Sequence, residues 1–323
     1  MNRNLWIAAT ISTALLTGCK FMAVATAPEK KASTTRSQEA LKADELFWDT
    51  FHNARYEQIP QALNAETAAY LANPSDAVTA SHVAWLHAWR VSERERMDNA
   101  PATITDDIVL SHKYFQEAVD LNPHDPRTLG FLAGLMLADG NINKDEKLTR
   151  RGYYTLLDSI KAWPEFNLFT AGYIMSRQPA DSKLFRKGVD WQWETLDRCV
   201  EKKVDRNNID YAKYMKLAVT EGQKRVCWNS WIAPHNFEGF FMNMGDMLVK
   251  AGDWQTAQKI YAQAKLSPTY SQWKYSDMLE QRIKDAQANV AYFNSDDPKL
   301  DKVHQRIMIA TPYVCTACHE SGR

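Results

Sequence analysis

Residues 240–268, FFMNMGDMLVKAGDWQTAQKIYAQAKLSP, decide the fold of this chain. The first half alternates large and small residues on one helical face, and the second half sets small residues around an aromatic one. The positions are Phe241, Met244, Gly245, Leu248, Ala257, Tyr261, Ala264 and Pro268. Small residues let two helices approach closely, and the aromatic ring fills the groove between neighbouring pairs. The stretch therefore predicts a closely packed pair of helices.

This pattern resembles a tetratricopeptide repeat (TPR). The second-helix pattern recurs at Ser111, Phe115, Ala118 and Pro123, and more loosely at Gly152, Leu156, Ser159 and Pro164, after Gly134 and Leu137 of a preceding helix. The resemblance implies an all-α, TPR-like solenoid of antiparallel helix pairs over residues 38–295, with no sheet. Such solenoids present extended surfaces to protein partners. A generic helical bundle is the alternative, because the spacing between matches is irregular.

The rest of the chain also predicts helices. Apolar residues recur at i, i+4, as in Trp85 and Trp89, and no alternating β-branched run of strand length occurs. Proline disfavours helical geometry in the preceding residue, so X-Pro pairs are expected at helix ends. These pairs are Asn73-Pro74, Asn122-Pro123, Trp163-Pro164, Gln178-Pro179 and Ser267-Pro268.

The C-terminus carries the sequence Cys315-Thr316-Ala317-Cys318-His319, the C-x-x-C-H pattern of covalent c-type haem attachment. The two thiols would form thioether bonds to one porphyrin, and the adjacent His319 would be the proximal iron ligand. A redox-active dithiol, a short-loop disulfide, or part of a zinc or copper site are alternatives for the same residues. The pattern predicts one haem c in a tail formed by residues 296–323.

A sixth haem ligand would have to come from upstream of the motif. His304 and Met308 are predicted to share one face of a last helix, at roughly residues 299–309, and His235 precedes the best repeat. Each is a candidate distal ligand, and an iron with an open sixth position is the alternative. His52, His112 and His124 are expected in surface or turn positions.

The N-terminus resembles a bacterial lipoprotein precursor. Arg3 precedes an apolar stretch of signal-peptide length that ends in Leu16-Thr17-Gly18-Cys19, similar to a lipobox. The resemblance implies cleavage of residues 1–18, lipidation of Cys19 and a flexible linker over residues 19–37. Lys20 after the cysteine favours the outer membrane over the inner one. The predicted location is the periplasmic side of the cell envelope, where haem c is attached and thiols are oxidised.

Two cysteines remain after these assignments, Cys199 and Cys227, and they could form a disulfide. An intervening helix that runs away from Cys199 would place them too far apart, unless the chain doubles back. Trp191 and Trp193 lie two residues apart, so we expect one of them to be exposed.

Neither the charge balance nor the motifs of the sequence indicate nucleic-acid binding or a common hydrolase or phosphate-binding site. The 39 basic and 39 acidic residues balance, so the charge gives no indication of nucleic-acid binding. No nucleophile elbow, phosphate-binding glycine loop or His-Glu-x-x-His motif occurs. The sequence predicts an envelope lipoprotein with an electron-transfer or haem-linked role, whose solenoid surface contacts a redox or envelope protein. An assembly lipoprotein with a disulfide or metal site in its tail is the alternative. Peroxidase-like activity would need a distal acid or base that the sequence does not identify.

Overall fold

The computed structural model describes residues 22–23, 25–213, 222–227, 237–295, 297 and 306–320. These residues form α-helices and short 3₁₀ turns without a strand, which confirms the all-α prediction. The helices are α1 (Gln38–His52), α2 (Ile59–Ala72), α3 (Ala77–Ser92), α4 (Asp106–Leu121), α5 (Pro126–Asn143), α6 (Glu146–Ala162), α7 (Pro164–Met175), α8 (Lys183–Cys199), α9 (Phe237–Lys250), α10 (Trp254–Gln263), α11 (Ser276–Lys284), α12 (Ala286–Phe293) and α13 (Thr316–His319).

Local sequence explains where many of these helices begin and end. Side chains of Asp76, Asp145 and Ser182 accept hydrogen bonds from backbone N–H groups of the first turns of α3, α6 and α8. The helices α2 and α4 end directly before Asn73-Pro74 and Asn122-Pro123, as predicted.

Consecutive helices pack on one another along the chain, most extensively α3 on α4, α5 on α6, α7 on α8 and α9 on α10. This gives a solenoid-like arrangement of helix pairs. In the pair α9–α10 the helices meet at Gly245, where an added Cβ atom would lie 2.2 Å from the Tyr261 ring. The close approach that the sequence predicts at this glycine is therefore present.

The C-terminal tail contacts helices from both halves of this array. The tail, residues 307–319, bonds to α7 through the Tyr173 hydroxyl, which donates to the Val314 carbonyl at 2.8 Å. Asp246 of α9 accepts from the Met308 N–H at 2.6 Å. Glu93, directly after α3, accepts from the Cys315 N–H at 2.8 Å. The tail thus joins the N-terminal and C-terminal helices.

Two apolar clusters meet at this tail. The N-terminal cluster contains Phe47, Phe51, Leu86 and Trp89, and the larger C-terminal cluster extends from α7 and α8 to α12 and the tail. Cys315 packs against both clusters.

The prediction of a last helix at roughly residues 299–309 is wrong at its C-terminal end. Ile307 is extended and Met308–Ala310 form a 3₁₀ turn, while residues 299–305, including His304, lie outside the described residues. The Met308 N–H bonds the Asp246 carboxylate of α9, and this contact takes the place of a helical backbone bond.

The predicted flexible linker, residues 19–37, makes specific contacts over its second half. Lys30 forms an ion pair with Glu117 at 2.6 Å, and Arg36 binds Asp44 and Asp76. The Ser33 N–H donates to the Ser75 carbonyl at 2.8 Å. The basic side chains form ion pairs with carboxylates on α1, on α4 and at the N-cap of α3. This part of the segment therefore follows the surface of the helices.

Trp191 and Trp193 are both buried, contrary to the expectation that one of them is exposed. Trp191 packs in a cluster with α5, α6 and α7, whereas Trp193 packs in the C-terminal cluster. Opposite faces of α8 are therefore both covered, which a two-residue spacing cannot reveal.

Cys199 and Cys227 form a disulfide, with Cα atoms 5.5 Å apart. The separating helix that the sequence suggested does not occur in the described part of this segment, which holds only the 3₁₀ turns Tyr211–Lys213 and Gln223–Cys227. The chain doubles back within it and brings the two sulfurs together.

Candidate functional site

The C-x-x-C-H motif forms a single helical turn. Cys315 precedes α13, and its carbonyl accepts from the N–H groups of Cys318 at 3.1 Å and His319 at 3.0 Å. Residues separated by three and four positions share one face of a helix. Both sulfurs and the imidazole consequently lie on the same side of this turn.

Glu93 fixes the start of the turn. It is completely buried, and its Oε1 accepts from the N–H groups of Cys315 and Thr316, both at 2.8 Å, and from the Thr316 hydroxyl at 3.1 Å. Its Oε2 accepts from Trp89 Nε1 at 3.0 Å and Arg96 Nη1 at 3.1 Å. These bonds satisfy a buried carboxylate that would otherwise be costly, and they hold the motif against α3.

The opposite side of the turn is held by two aromatic residues of the C-terminal half. Trp273 Nε1 donates to the Ala317 carbonyl at 3.1 Å, and the Tyr275 hydroxyl bonds Thr316 Oγ1 at 2.8 Å. The motif is therefore positioned from both halves of the molecule.

Aromatic rings surround His319. Its ring centroid lies 4.3 Å from that of Phe51 and 5.5 Å from that of Trp85, and Trp85 contacts Phe131 at 4.3 Å. These rings provide apolar contacts on the buried side of the imidazole, which is itself half-buried.

Burial raises the pKa of both motif thiols well above the usual range, with the nearby Glu93 carboxylate adding to the effect at Cys315 and that of Glu238 at Cys318. Both groups are thus held as neutral thiols. A reactive dithiol needs the opposite environment, in which nearby positive charge stabilises the thiolate. The surroundings therefore disfavour the interpretation of this pair as a thioredoxin-like redox centre.

The donor set and its surroundings fit a covalent haem. Two thiols and an imidazole, the groups that attach and ligate a haem c, lie within one helical turn, and the rings of Phe51 and Trp85 lie beside the imidazole. Cys315, Cys318 and His319 would hold the group, and Phe51 and Trp85 would flank it.

Of the three candidate distal ligands, only Met308 lies within the described residues. Met308 is completely buried between Ile307 and Ile309 in the C-terminal cluster. His304 and His235 lie outside the described residues, as does the lipidation candidate Cys19. The distal ligand stays a prediction.

Sequence reasoning missed the position of His52 and the role of Glu93. His52, expected at the surface, is buried at the end of α1, stacked on Trp48 with centroids 4.9 Å apart. His112 is half-buried and contacts Asp139 at 2.6 Å, while His124 is exposed as expected. An apolar stripe on α1 could have indicated the burial of His52, but no local signal marks Glu93 as the anchor of residues 222 positions away.

No family model, curated protein or solved structure matches this chain. Within the part of the chain that the structure describes, none of the helices combines the length and the apolar character needed to cross a membrane.

Proposed function

We propose that this protein is an envelope lipoprotein whose TPR-like helical solenoid carries one c-type haem on its C-terminal tail and serves electron transfer. The observation that carries the proposal is the single helical turn that places Cys315, Cys318 and His319 on one side, among aromatic rings. The lipobox-like Leu16-Thr17-Gly18-Cys19 supports export to the compartment in which haem c is attached.

Each residue of the site has a distinct role in this proposal. Cys315 and Cys318 attach the group, and His319 binds the iron. Glu93 and Tyr275 orient the turn through hydrogen bonds to Cys315 and Thr316. Phe51 and Trp85 pack against the imidazole and hold its orientation. The haem, when bound, would supply a one-electron iron centre.

Partner binding is proposed for the solenoid surface that the tail leaves uncovered. The tail occupies surface on α3, α7 and α9, so a redox or envelope protein would contact other faces of the array. The lipid on Cys19 would keep the protein at the membrane, on the periplasmic side of the outer membrane.

Expression of the whole precursor, with and without c-type haem maturation machinery, tests the proposal. Membrane fractions are analysed by haem stain on denaturing gels and by absorption spectra of the reduced protein. We expect covalent haem only in the strain with the machinery. Cys318→Ala and His319→Ala should abolish the normal spectrum, whereas His124→Ala, at an exposed position, should leave it intact.

A colourless wild-type protein from the maturation strain would overturn the proposal. In that case, partner binding that survives the loss of Cys315 and Cys318 would support the assembly-factor alternative.

A further inference from the structure

Three potential metal ligands from three different helices converge in the N-terminal half. His82 Nδ1 of α3 lies 2.8 Å from Asp44 Oδ1 of α1 and 3.0 Å from Glu66 Oε1 of α2. One ligand atom from each residue lies within 4.8 Å of the other two. His82 and Glu66 are buried, and Asp44 is half-buried.

The hydrogen-bond network leaves one atom of this cluster unsatisfied. Glu66 is completely buried, and its Oε2 has no hydrogen-bond partner. Buried carboxylate oxygens nearly always have a partner, because an unpaired one loses its hydration without compensation. The other oxygen of this carboxylate, Oε1, lies 3.0 Å from His82 Nδ1, so the orphaned Oε2 belongs to a group at the centre of the cluster and points to a missing electron-pair acceptor.

Charge in the cluster is also unbalanced. Asp44 accepts from Arg36 Nη2 at 3.0 Å, and Arg36 Nε donates to Asp76 at 2.8 Å. Three carboxylates, those of Asp44, Glu66 and Asp76, thus face one guanidinium and one imidazole.

We propose that Asp44, Glu66 and His82 bind a divalent transition-metal ion of the zinc class. The ion binds His82 together with one oxygen each of Asp44 and Glu66, the three ligand atoms that already lie within 4.8 Å of one another. An imidazole together with carboxylates suits Zn²⁺, Mn²⁺ or Fe²⁺, whereas Ca²⁺ and Mg²⁺ prefer oxygen ligands alone. Arg36 does not compete for His82 or Glu66, because it bonds Asp44 and Asp76.

The packing around His82 is already arranged for a fixed ligand. The Phe47 ring stacks on the imidazole with centroids 4.1 Å apart and planes 8° apart, and Trp48 contacts its edge at 5.5 Å. Such contacts hold the ring in one orientation, as the partners of metal-ligating histidines do. The metal links α1, α2 and α3. It lies next to the N-terminal cluster, whose Phe51 contacts His319.

The test uses the full chain in detergent, treated with a chelator, and titrated with Zn²⁺ by calorimetry. We expect binding of one Zn²⁺ to the Cys315→Ser/Cys318→Ser variant as well as to the wild-type protein, because the tail does not contribute ligands. His82→Asn and Glu66→Gln should each weaken binding by at least about tenfold, the loss that even indirect contacts to a metal can cause. Glu45→Gln, at an exposed position of α1, should not change it.

X-ray absorption on the zinc-loaded Cys315→Ser/Cys318→Ser variant keeps the test decisive if His82→Asn does not fold. A first shell of nitrogen and oxygen at about 2.0–2.1 Å that includes imidazole supports the site. Absence of Zn²⁺ binding in the Cys315→Ser/Cys318→Ser variant, or binding that Glu66→Gln leaves unchanged, would overturn it. The cluster would then be a protonated histidine bridging two carboxylates. Neither outcome depends on whether haem is attached to the tail.

Discussion

Glu93 is a buried carboxylate whose function is to hold other residues. Its two oxygens accept from the backbone at Cys315 and Thr316, from Trp89 and from Arg96. Hydrogen bonds to a charged group are stronger than neutral ones, and their loss leaves donors buried and unpaired. The orientation of the C-x-x-C-H turn therefore depends on one side chain far away in the sequence.

We predict that Glu93→Ala lowers the free energy of unfolding by about 3–5 kcal/mol, because it leaves several buried donors without acceptors. Glu93→Gln should lose less, since its amide oxygen can still accept from the turn. Urea unfolding measures both losses, and alkylation of haem-free protein should show faster reaction of Cys318 in Glu93→Ala. Glu45→Ala, exposed on α1, should stay within about 0.5 kcal/mol of wild type. Equal stability of Glu93→Ala and Glu45→Ala would refute the anchoring role.

His52 should make the stability depend on pH. Burial lowers the pKa of His52 from 6.5 to about 4. Above pH 6.5 the residue is neutral in both the folded and unfolded states. As the pH falls from 6.5 to 4, only the unfolded state gains the proton, so stability decreases, by on the order of 2–3 kcal/mol.

This pH dependence is measured by urea unfolding between pH 7 and pH 4. His52→Gln should flatten the decrease, whereas His124→Gln, which changes an exposed histidine, should reproduce the wild-type curve. Identical slopes for all three proteins would show that His52 does not contribute to the decrease.

The packing of helices that are consecutive in the chain is the part of the fold that could best be predicted from the sequence. Gly245 and Tyr261 lie on two helices that follow one another along the chain. Their contact could therefore be predicted from the small and aromatic residues of one short stretch of sequence. The caps and X-Pro pairs likewise act within a few residues. By contrast, the sequence predicts a last helix that includes Met308, whereas the Met308 N–H bonds a carboxylate 62 positions away.

Gly245→Ala should disrupt the pair α9–α10. The added Cβ would lie 2.2 Å from Cε1 and 2.3 Å from Cδ1 of the Tyr261 ring, whose hydroxyl is also fixed by Asp246 at 2.6 Å. The ring cannot move without breaking that bond, so we expect a loss of about 1–3 kcal/mol. Gly134→Ala is the matched control, because its Cβ would meet only the flexible end of Ile174, at 3.0 Å. Thermal unfolding of the two variants should show a lower midpoint for Gly245→Ala, and similar midpoints would contradict the close-packing argument.

The tail changes the behaviour of the whole molecule. In an open solenoid each repeat contacts only its neighbours, so the array can unfold in parts. Here residues 307–319 connect Glu93 of the N-terminal half with Asp246, Trp273 and Tyr275 of the C-terminal half. The sequence could not predict this closure, because contacts across more than two hundred residues leave no local pattern. The same closure places the motif where the two apolar clusters meet.

We therefore predict that the tail makes unfolding cooperative. In the full chain, α1–α3 and α9–α12 should lose protection from hydrogen exchange at the same urea concentration. A chain that ends at Arg306 lacks the bonds to Glu93 and Asp246, so its two halves should open at different concentrations. A chain that ends at Glu320 retains every tail contact named above and should behave as the full chain does. A single shared transition in the chain ending at Arg306 would mean that helix-on-helix packing alone couples the halves, and that the tail only positions the cysteines and histidine.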